Sequence, residues 1–164
     1  MISFHQIYQQ YVDQIYRFAF CLCGDEMEAN DLTSETFVRL WTHLGSVQTE
    51  TVKGYLFSIT NNLFLQSRRS AHRRQEMPNN LPDLTPGPER MVQGKHSLAT
   101  VIAAMKLLPE IDRAALVLRA YEHLSYREIA QCLNTSVSAA RVKVHRSRLK
   151  LLEILEKENP THAN

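Results

Sequence analysis

The stretch SYREIAQCLNTSVSAARVKVHRSRLKLL, residues 125–152, places two helical patterns on either side of a short polar break. Ser125 precedes the first pattern and Glu128 follows three residues later, an arrangement that satisfies free backbone N–H groups at a helix start. The polar residues at 134–136 interrupt the pattern because their side chains hydrogen-bond to nearby backbone, and Ser136 can cap the second helix. The stretch therefore predicts a helix, a turn and a second helix.

The second of these helices has an apolar face and a cationic face. The apolar face comprises Val137, Ala140, Val144, Leu151 and Leu155. The face that points away from it begins with small side chains and becomes basic further along, which suits a helix that enters the major groove of DNA. A helix that only packs against a neighbour would more often carry acidic residues there. We predict that the residues facing DNA are Ser136, Ser138, Ala139, Arg141, Val142, Lys143, His145, Arg146 and Arg148.

Charge is distributed unevenly along the chain, although the formal net charge is only +2. Residues 1–50 carry two basic and seven acidic side chains, whereas residues 66–75 and 137–150 carry basic side chains and no acidic one. A polyanion is the simplest partner for the two basic segments. On charge alone, a solvated helix face remains the alternative.

Apolar residues recur at helical spacing over most of the chain, and alternating β-branched runs are missing. The spacing predicts helices over 4–23, 27–44, 52–70, 97–108, 111–121, 126–132 and 137–155. Residues 75–96 are rich in proline and poor in large apolar side chains, so they cannot bury enough surface to offset their ordering entropy. The predicted fold is therefore all-α, with two small helical domains over 1–74 and 97–158 joined by a flexible linker.

Composition excludes several classes of protein. The three cysteines, Cys21, Cys23 and Cys132, are an odd number at spacings that make neither a disulfide framework nor a zinc site, so we predict reduced thiols. No paired nucleophile and base, metal cluster or glycine-rich phosphate loop is evident, so we predict no enzyme activity, no metal and no cofactor. No stretch comes near the roughly 18 apolar residues of a membrane span, so we expect a soluble cytoplasmic protein without membrane insertion.

Three stretches resemble one family of bacterial proteins. Residues 108–152, LPEIDRAALVLRAYEHLSYREIAQCLNTSVSAARVKVHRSRLKLL, are similar to the promoter-reading C-terminal domain of RNA polymerase sigma factors of the extracytoplasmic-function type. Residues 24–44, GDEMEANDLTSETFVRLWTHL, resemble the polymerase-binding segment of that family, and residues 54–74, GYLFSITNNLFLQSRRSAHRR, resemble the segment that handles the melted promoter strand. The resemblance implies a dissociable polymerase subunit that directs promoter recognition and transcription initiation.

The 27–44 helix is predicted to present an acidic face to solvent. Its buried stripe is predicted to comprise Leu32, Phe37, Leu40, Trp41 and Leu44. Asp31, Glu35 and Val38 then lie together on another face, which suits a basic partner helix. The alternative is that the two carboxylates only favour the helix start electrostatically. By resemblance, the partner is the coiled coil of the largest polymerase subunit, and Arg39 belongs to the same contact.

The loop after Leu44 and the helix that follows it are predicted to handle single-stranded DNA. A melted base needs a pocket with polar edges, and the backbone phosphates need cations beside it. By resemblance, the loop captures a flipped base, with Asn62 near the base and Lys53 on the backbone. The predicted strand-binding residues are Gln48, Lys53, Asn62, Arg68, Arg69, Arg73 and Arg74.

The resemblance also implies the partners. They are promoter DNA and core RNA polymerase, which is contacted through the coiled coil of its largest subunit and the flap region of its second-largest subunit. An anti-sigma protein is a further implied partner, although nothing in the chain identifies one. Two other classes stay open: a repressor that binds two DNA half-sites as a dimer, and a protein–protein adaptor that uses the acidic face. A repressor needs no strand-handling residues, and an adaptor leaves both basic segments unexplained.

Overall fold

The structure, a computed structural model, describes residues 2–47, 52–75 and 97–158. Within these ranges it has no β-strand and consists of α-helices with one short 3-10 helix at Leu44–Ser46. The α-helices are α1 (Phe4–Cys23), α2 (Glu26–Thr42), α3 (Val52–Gln75), α4 (Leu98–Met105), α5 (Glu110–Ala120), α6 (Tyr126–Cys132) and α7 (Val137–Glu158). The all-α prediction is confirmed, and every helix predicted from apolar spacing is present, although several ends differ by a few residues. Residues 76–96 of the predicted linker lie outside the described ranges.

Short-range signals begin and end α1. The Ser3 hydroxyl accepts from the Gln6 N–H at 3.3 Å, and the Gln6 side chain accepts from the Ser3 N–H at 2.9 Å, so both partners of a capping box are satisfied. The helix ends at Gly24, whose φ of 69° is left-handed and whose N–H donates to Phe20 O at 2.7 Å. A Cβ at Gly24 would meet the flexible end of the Lys106 side chain, which can move aside, so the left-handed φ is the feature that favours glycine at this junction.

The predicted helix-turn-helix of residues 125–152 is confirmed as α6 and α7. The Ser125 hydroxyl oxygen accepts from the Glu128 N–H at 3.1 Å, but the hydroxyl also donates to the Glu128 carboxylate at 2.9 Å, so the predicted reciprocal cap forms only on one side. Asn134 takes a φ of 52° in the turn, a left-handed conformation that asparagine tolerates. The Ser136 hydroxyl oxygen accepts from the Ala139 N–H at 3.0 Å and so begins α7.

The two halves of the chain share one hydrophobic core. Phe18 of α1 and Phe57 of α3 are fully buried in it and meet edge to face, with ring centroids 5.1 Å apart. The C-terminal half contributes to the same core the buried side chains of Met105, Leu108, Leu118, Leu124 and Ile129. Burial of one such large side chain contributes about 1.5–3 kcal/mol. The two halves therefore stabilise each other, a feature that helical spacing did not predict.

Polar contacts also join the two halves. Arg17 of α1 donates to Glu122, just beyond α5, at 3.3 Å, and the Glu122 side chain is only 3% exposed. The Arg17 guanidinium lies 4.7 Å from the ring centroid of Tyr121. The Cys132 thiol of α6 donates to Gly54 O in the first turn of α3 at 3.4 Å. As a result, α6 lies against the start of α3.

A buried arginine closes the C-terminal end of α4. Arg113 is 5% exposed and donates to the backbone oxygens of Met105 at 2.8 Å, Lys106 at 3.1 Å and Leu108 at 3.1 Å. It also donates to Leu22 O at the end of α1, so it connects the two halves of the chain. Burial lowers the pKa of Arg113 below its usual value. The guanidinium satisfies carbonyls that the helix end leaves without intrahelical partners.

The prediction that Trp41 belongs to the buried stripe of α2 is wrong, because its side chain is 62% exposed. The stripe that is buried comprises Ala29, Leu32, Thr33, Thr36, Phe37 and Leu40. Two threonines are accommodated there since their hydroxyls donate to the backbone four residues earlier, at 2.7 Å for Thr33 and 2.6 Å for Thr36. At about 100° per residue, Trp41 lies roughly 100° from the centre of this arc. Leu44, also predicted to be buried, is half-buried.

We expect the folded protein to react slowly with thiol reagents. Burial raises the pKa of the Cys21 and Cys132 thiols to about 11, and it also raises the pKa of Cys23. At pH 8 about 0.1% of a thiol with that pKa is ionised, against roughly a quarter for an ordinary cysteine. Absorbance assays with a chromogenic disulfide should show release at least about 100-fold slower from the folded chain than from the chain in denaturant. Rapid reaction of Cys21 or Cys132 in the folded chain would contradict this burial.

Candidate functional site

The acidic face of α2 lies opposite its buried arc. Asp31, Glu35 and Val38 are exposed and fall within about 60° of one another around the helix. Arg39, beside them, donates to Glu35 at 3.3 Å, and both side chains are about half exposed. Asp31 has no ion-pair partner among the described residues. The face therefore presents one free carboxylate, one screened carboxylate and an apolar centre at Val38, which suits a basic partner with some apolar surface.

Exposed aromatic side chains continue from this face, and the sequence pattern did not predict them as surface. Trp41 meets Phe4 of α1 edge to face with ring centroids 5.0 Å apart, and Tyr8 meets Phe37 in the same way at 4.9 Å. Tyr8 is 42% exposed. We call Phe4, Tyr8 and Trp41 the aromatic edge. The angular position of Trp41, outside the buried arc of α2, is the feature of the sequence from which its exposure could have been predicted.

Three of the predicted strand-binding residues line one side of α3. Asn62, Arg69 and Arg73 are exposed and lie within about 40° of one another around the helix, over roughly 16 Å of its length. We call them the basic stripe. Lys53 is half-buried and lies about 180° from Asn62, so the structure does not bring these two residues together. Gln48 and the side chain of Arg74 lie outside the described part of the structure.

Arg68, also predicted to bind the strand, has partners within the protein. Its Nη2 donates to Glu28 of α2 at 3.2 Å, and its guanidinium lies 4.8 Å from the ring centroid of Phe64. The Ser67 hydroxyl donates to the other oxygen of the same carboxylate at 3.0 Å. Arg68 therefore connects α3 to α2 instead of extending the basic stripe. A groove beside it is lined by Leu65, Arg68, Arg69, Ala71, His72, Arg73 and Glu110.

The outer face of α7 is exposed as predicted, with two differences. The residues that are exposed are Ser136, Ser138, Arg141, Val142, His145, Arg146 and Arg148, while Ala139 is partly exposed. Lys143 was predicted to point away from the apolar face, but it is half-buried beside Ala140 and Val144. Val137, predicted in the apolar face, is 38% exposed in the first turn. The half-burial of Lys143 agrees with the buried arc of Ala140, Val144 and Ser147, because Lys143 lies only about 40° from Ser147 around the helix.

The Tyr126 ring contacts the guanidinium groups of two arginines, Arg119 and Arg141. The guanidinium of Arg141 lies 5.2 Å from the ring centroid of Tyr126, and that of Arg119 lies 4.4 Å from it. Arg119 also donates to Leu124 O at 3.1 Å. Contacts of this kind restrict the rotamers of long side chains, so the orientation of the Arg141 side chain is restricted within the chain itself.

Arg146 makes a bidentate ion pair with Asp112 of α5, which the residue pattern of α7 alone could not predict. Its Nε donates to Asp112 Oδ2 at 2.8 Å and its Nη2 donates to Asp112 Oδ1 at 2.9 Å. The Asp112 side chain is 4% exposed, whereas the Arg146 side chain is 57% exposed. Hydrogen bonding to Asp112 raises the pKa of Arg146. The hydroxyl of Ser147, the next residue, lies 2.9 Å from the backbone oxygen of Asp112 and 2.6 Å from that of Lys143, and its single hydrogen is shared between these two acceptors.

Two further properties bear on the class of protein. Over residues 2–47, 52–75 and 97–158, no group of three or more histidine, cysteine, aspartate or glutamate side chains could hold a metal ion. None of the helices in these ranges combines the length and the apolar character that crossing a bilayer requires.

Comparisons with known proteins agree on one family. Residues 7–74 match the model for sigma-70 region 2, and residues 98–151 match the model for sigma-70 region 4. The chain is 36% identical to the ECF RNA polymerase sigma factor SigE of Mycolicibacterium smegmatis, over 97% of this chain and 64% of that protein. It therefore spans slightly less than two thirds of that relative. It is 28% identical to the ECF RNA polymerase sigma factor SigM of Bacillus subtilis, over 92% of this chain and 93% of that protein.

The fold is also shared with a solved structure. The sigma factor RpoE from Bartonella quintana, in complex with the anti-sigma factor NepR, superposes with a TM-score of 0.81. The alignment covers 93% of this chain and 96% of that chain at 23% identity. At this identity the likeness shows a common fold.

Proposed function

Because the chain belongs to the extracytoplasmic-function type of RNA polymerase sigma factor, we propose that it binds core RNA polymerase and directs it to promoters with two recognised elements. Residues 1–74 bind polymerase and the melted strand of the downstream element, and residues 97–158 read the upstream element as duplex. The basic stripe carries this proposal. A protein that reads only duplex DNA has no use for a polar and cationic row on a second helix outside the helix-turn-helix.

The acidic face of α2 is the proposed docking site for core polymerase. Its partner is the coiled coil of the largest subunit, and the contacting residues are Asp31, Glu35, Val38 and Arg39. The combination of carboxylates around Val38 supports a partner helix that is basic with an apolar centre. The aromatic edge extends this surface, since aromatic side chains are enriched in the buried centres of protein interfaces. The flap region of the second-largest subunit would contact residues 97–158.

The basic stripe is the proposed path of the melted strand. Asn62 can hydrogen-bond to a base edge, and Arg69 and Arg73 can reach successive phosphates. Lys53 would contact the backbone from the other side of α3, together with Gln48 and Arg74. Arg68 contributes less, because its guanidinium already binds Glu28. Contact between α6 and Gly54 places the C-terminal half beside Lys53 in the free chain, so binding polymerase would also uncover this end of the path.

The remaining partners and properties follow from the family. We propose that an anti-sigma protein binds this chain, by analogy with the RpoE and NepR complex. We also propose that the chain is not an enzyme by itself, needs no cofactor or metal, and works in the cytoplasm, where bacterial polymerase transcribes. The phosphoryl-transfer chemistry belongs to the polymerase subunits.

Transcription in vitro with purified core polymerase tests the proposed function. We expect discrete new transcripts from a library of genomic fragments only when the chain is added, with core polymerase alone as the control. Without polymerase, the chain should bind duplex promoter DNA weakly, with little sequence preference and with affinity that falls steeply as salt rises. A sharp footprint from the chain alone, with no new transcripts, would contradict the proposal and favour a repressor.

A further inference from the structure

The pair between Arg146 and Asp112 leaves one edge of the guanidinium free. Nε and one hydrogen of Nη2 point to the carboxylate. The remaining N–H groups are those of Nη1 and the outer hydrogen of Nη2. No acceptor within the described residues binds Nη1. The Arg146 side chain is 57% exposed, so these remaining N–H groups are accessible to a ligand from solvent.

Asp112, the carboxylate that binds Arg146, has a fixed position in the fold. Asp112 lies in the first turn of α5, where the helix dipole favours a negative charge, and its side chain is 4% exposed. Two parallel hydrogen bonds fix both the position and the plane of the guanidinium, which a single contact would not do. The hydroxyl of the neighbouring Ser147 is buried and lies 2.9 Å from Asp112 O, so α7 packs closely against α5 beside the ion pair.

A planar guanidinium whose two terminal N–H groups are free can pair with the acceptors of one base, guanine. Guanine presents O6 and N7 as two acceptors in the major groove, and an arginine binds both with parallel N–H groups. We propose that Asp112 is a positioning residue that sets Arg146 to read one guanine of the upstream promoter element. This inference rests on the proposed function, and it adds a determinant of specificity on α5, a helix that does not itself enter the groove.

The proposal differs from a purely structural ion pair in its effect on affinity. Asp112 brings a negative charge close to the DNA phosphates, and it offsets the positive charge of Arg146. Asp112 therefore lowers affinity for DNA of any sequence while it raises preference for one base pair. A pair that served only to fasten α7 to α5 would, when broken, weaken binding to all sequences alike and lower stability.

The test uses holoenzyme reconstituted from core polymerase and the full chain, with promoters randomised in the upstream element. The natural chain should prefer guanine at one position by on the order of tenfold to a hundredfold. Asp112→Asn keeps the volume of the side chain but offers only one good acceptor to the guanidinium. We expect its preference at that position to fall below about threefold, with preferences elsewhere unchanged and binding to non-promoter DNA unchanged or stronger.

Two further variants keep the test decisive if Asp112→Asn does not fold. Arg146→Lys can still pair with Asp112 but cannot present a fork, so it should lose preference at the same position. Arg148→Ala removes one exposed cation that has no such partner, and it should weaken binding to all promoters alike while keeping the guanine preference. Combining Asp112→Asn with Arg146→Lys should cause no further loss of specificity. Circular dichroism melts of every variant monitor the fold.

Several outcomes would overturn the inference. Full guanine preference in Arg146→Lys would show that the pair is structural only. The pair would also be structural only if Asp112→Asn lost base preference at every position of the upstream element. The same conclusion would follow if Asp112→Asn lost preference at a position that Arg146→Lys does not affect. If the natural chain supports no promoter-specific transcription at all, the proposed function fails instead. Specific transcription with unchanged guanine preference in both variants refutes this inference alone.

Discussion

Replacing Asp31 and Glu35 with lysine is expected to weaken binding to core RNA polymerase by at least roughly 100-fold while the chain stays folded. The two changes place like charge against a basic partner at a partly desolvated contact, where reversals cost several kcal/mol. A loss of about 3 kcal/mol corresponds to roughly 150-fold in the dissociation constant. Within the chain the change is mild, because both side chains are exposed. A second cation beside Arg39 costs only a few tenths of a kcal/mol, so about the same melting temperature is expected.

Asp13→Lys provides a matched control for this experiment. Asp13 is an exposed carboxylate on α1 and is not part of the acidic face. The control should retain polymerase affinity within about threefold, since a surface charge away from the contact acts only at long range and is screened by salt. Pull-down of core polymerase, followed by a titration monitored by fluorescence anisotropy, measures both variants. Retention of full affinity by the folded Asp31 and Glu35 variant would eliminate these residues as the docking patch.

Replacing Arg113 with methionine is expected to lower the free energy of unfolding by at least about 3 kcal/mol. The change removes the side chain that donates to the backbone oxygens of Met105, Lys106, Leu108 and Leu22. Met105 O keeps the Leu108 N–H at 3.0 Å, whereas the other three oxygens lose the hydrogen bond that Arg113 supplies. Each unsatisfied buried group costs about 1–3 kcal/mol, and the costs are not simply additive. For a chain of this size, the melting temperature should fall by roughly 6–12 °C.

Arg119→Ala is the matched control for the buried arginine. Arg119 is partly exposed and donates to a single backbone oxygen, Leu124 O at 3.1 Å. Its removal should cost about 1–2 kcal/mol, because it loses this hydrogen bond and the contact with the Tyr126 ring, while water can replace the lost donor. Urea titrations monitored by circular dichroism measure both variants. Equal destabilisation by the two variants would show that the buried Arg113 and its four acceptors contribute no more to the free energy of unfolding than the partly exposed Arg119.

Much of the fold could be predicted because it depends on local signals. The first residues of α6 and α7 follow from caps at Ser125 and Ser136, and the turn between these helices follows from polar residues that compete with the helix for backbone partners. The acidic face on α2 and the cationic face on α7 follow from spacing at 3.6 residues per turn. These features involve residues within about one helical turn of each other, so the sequence carries them directly.

Pairs between helices were not predictable in the same way. Arg146 binds Asp112, and Arg68 binds Glu28, across separations of 34 and 40 residues. Such contacts depend on how helices rotate and cross, and the periodicity of a single helix does not record either quantity. The same limit explains Lys143, which the pattern of α7 placed in the open but which packing half-buries. Roles for these residues in binding DNA stay predictions.

The shared core has a consequence for how the protein is made. Arg17 and Glu122, which join the two halves, are 105 residues apart. A bacterial ribosome adding roughly 5–20 residues per second needs about 5–20 s to synthesise that length. In the part of that interval that follows synthesis of Gln75, α1 and α3 are complete, but the apolar surface around Phe64 and Leu22 that the later helices cover still faces water. The newly made N-terminal half is therefore the stage at which a molecule of this protein is most open to aggregation and to capture by a chaperone.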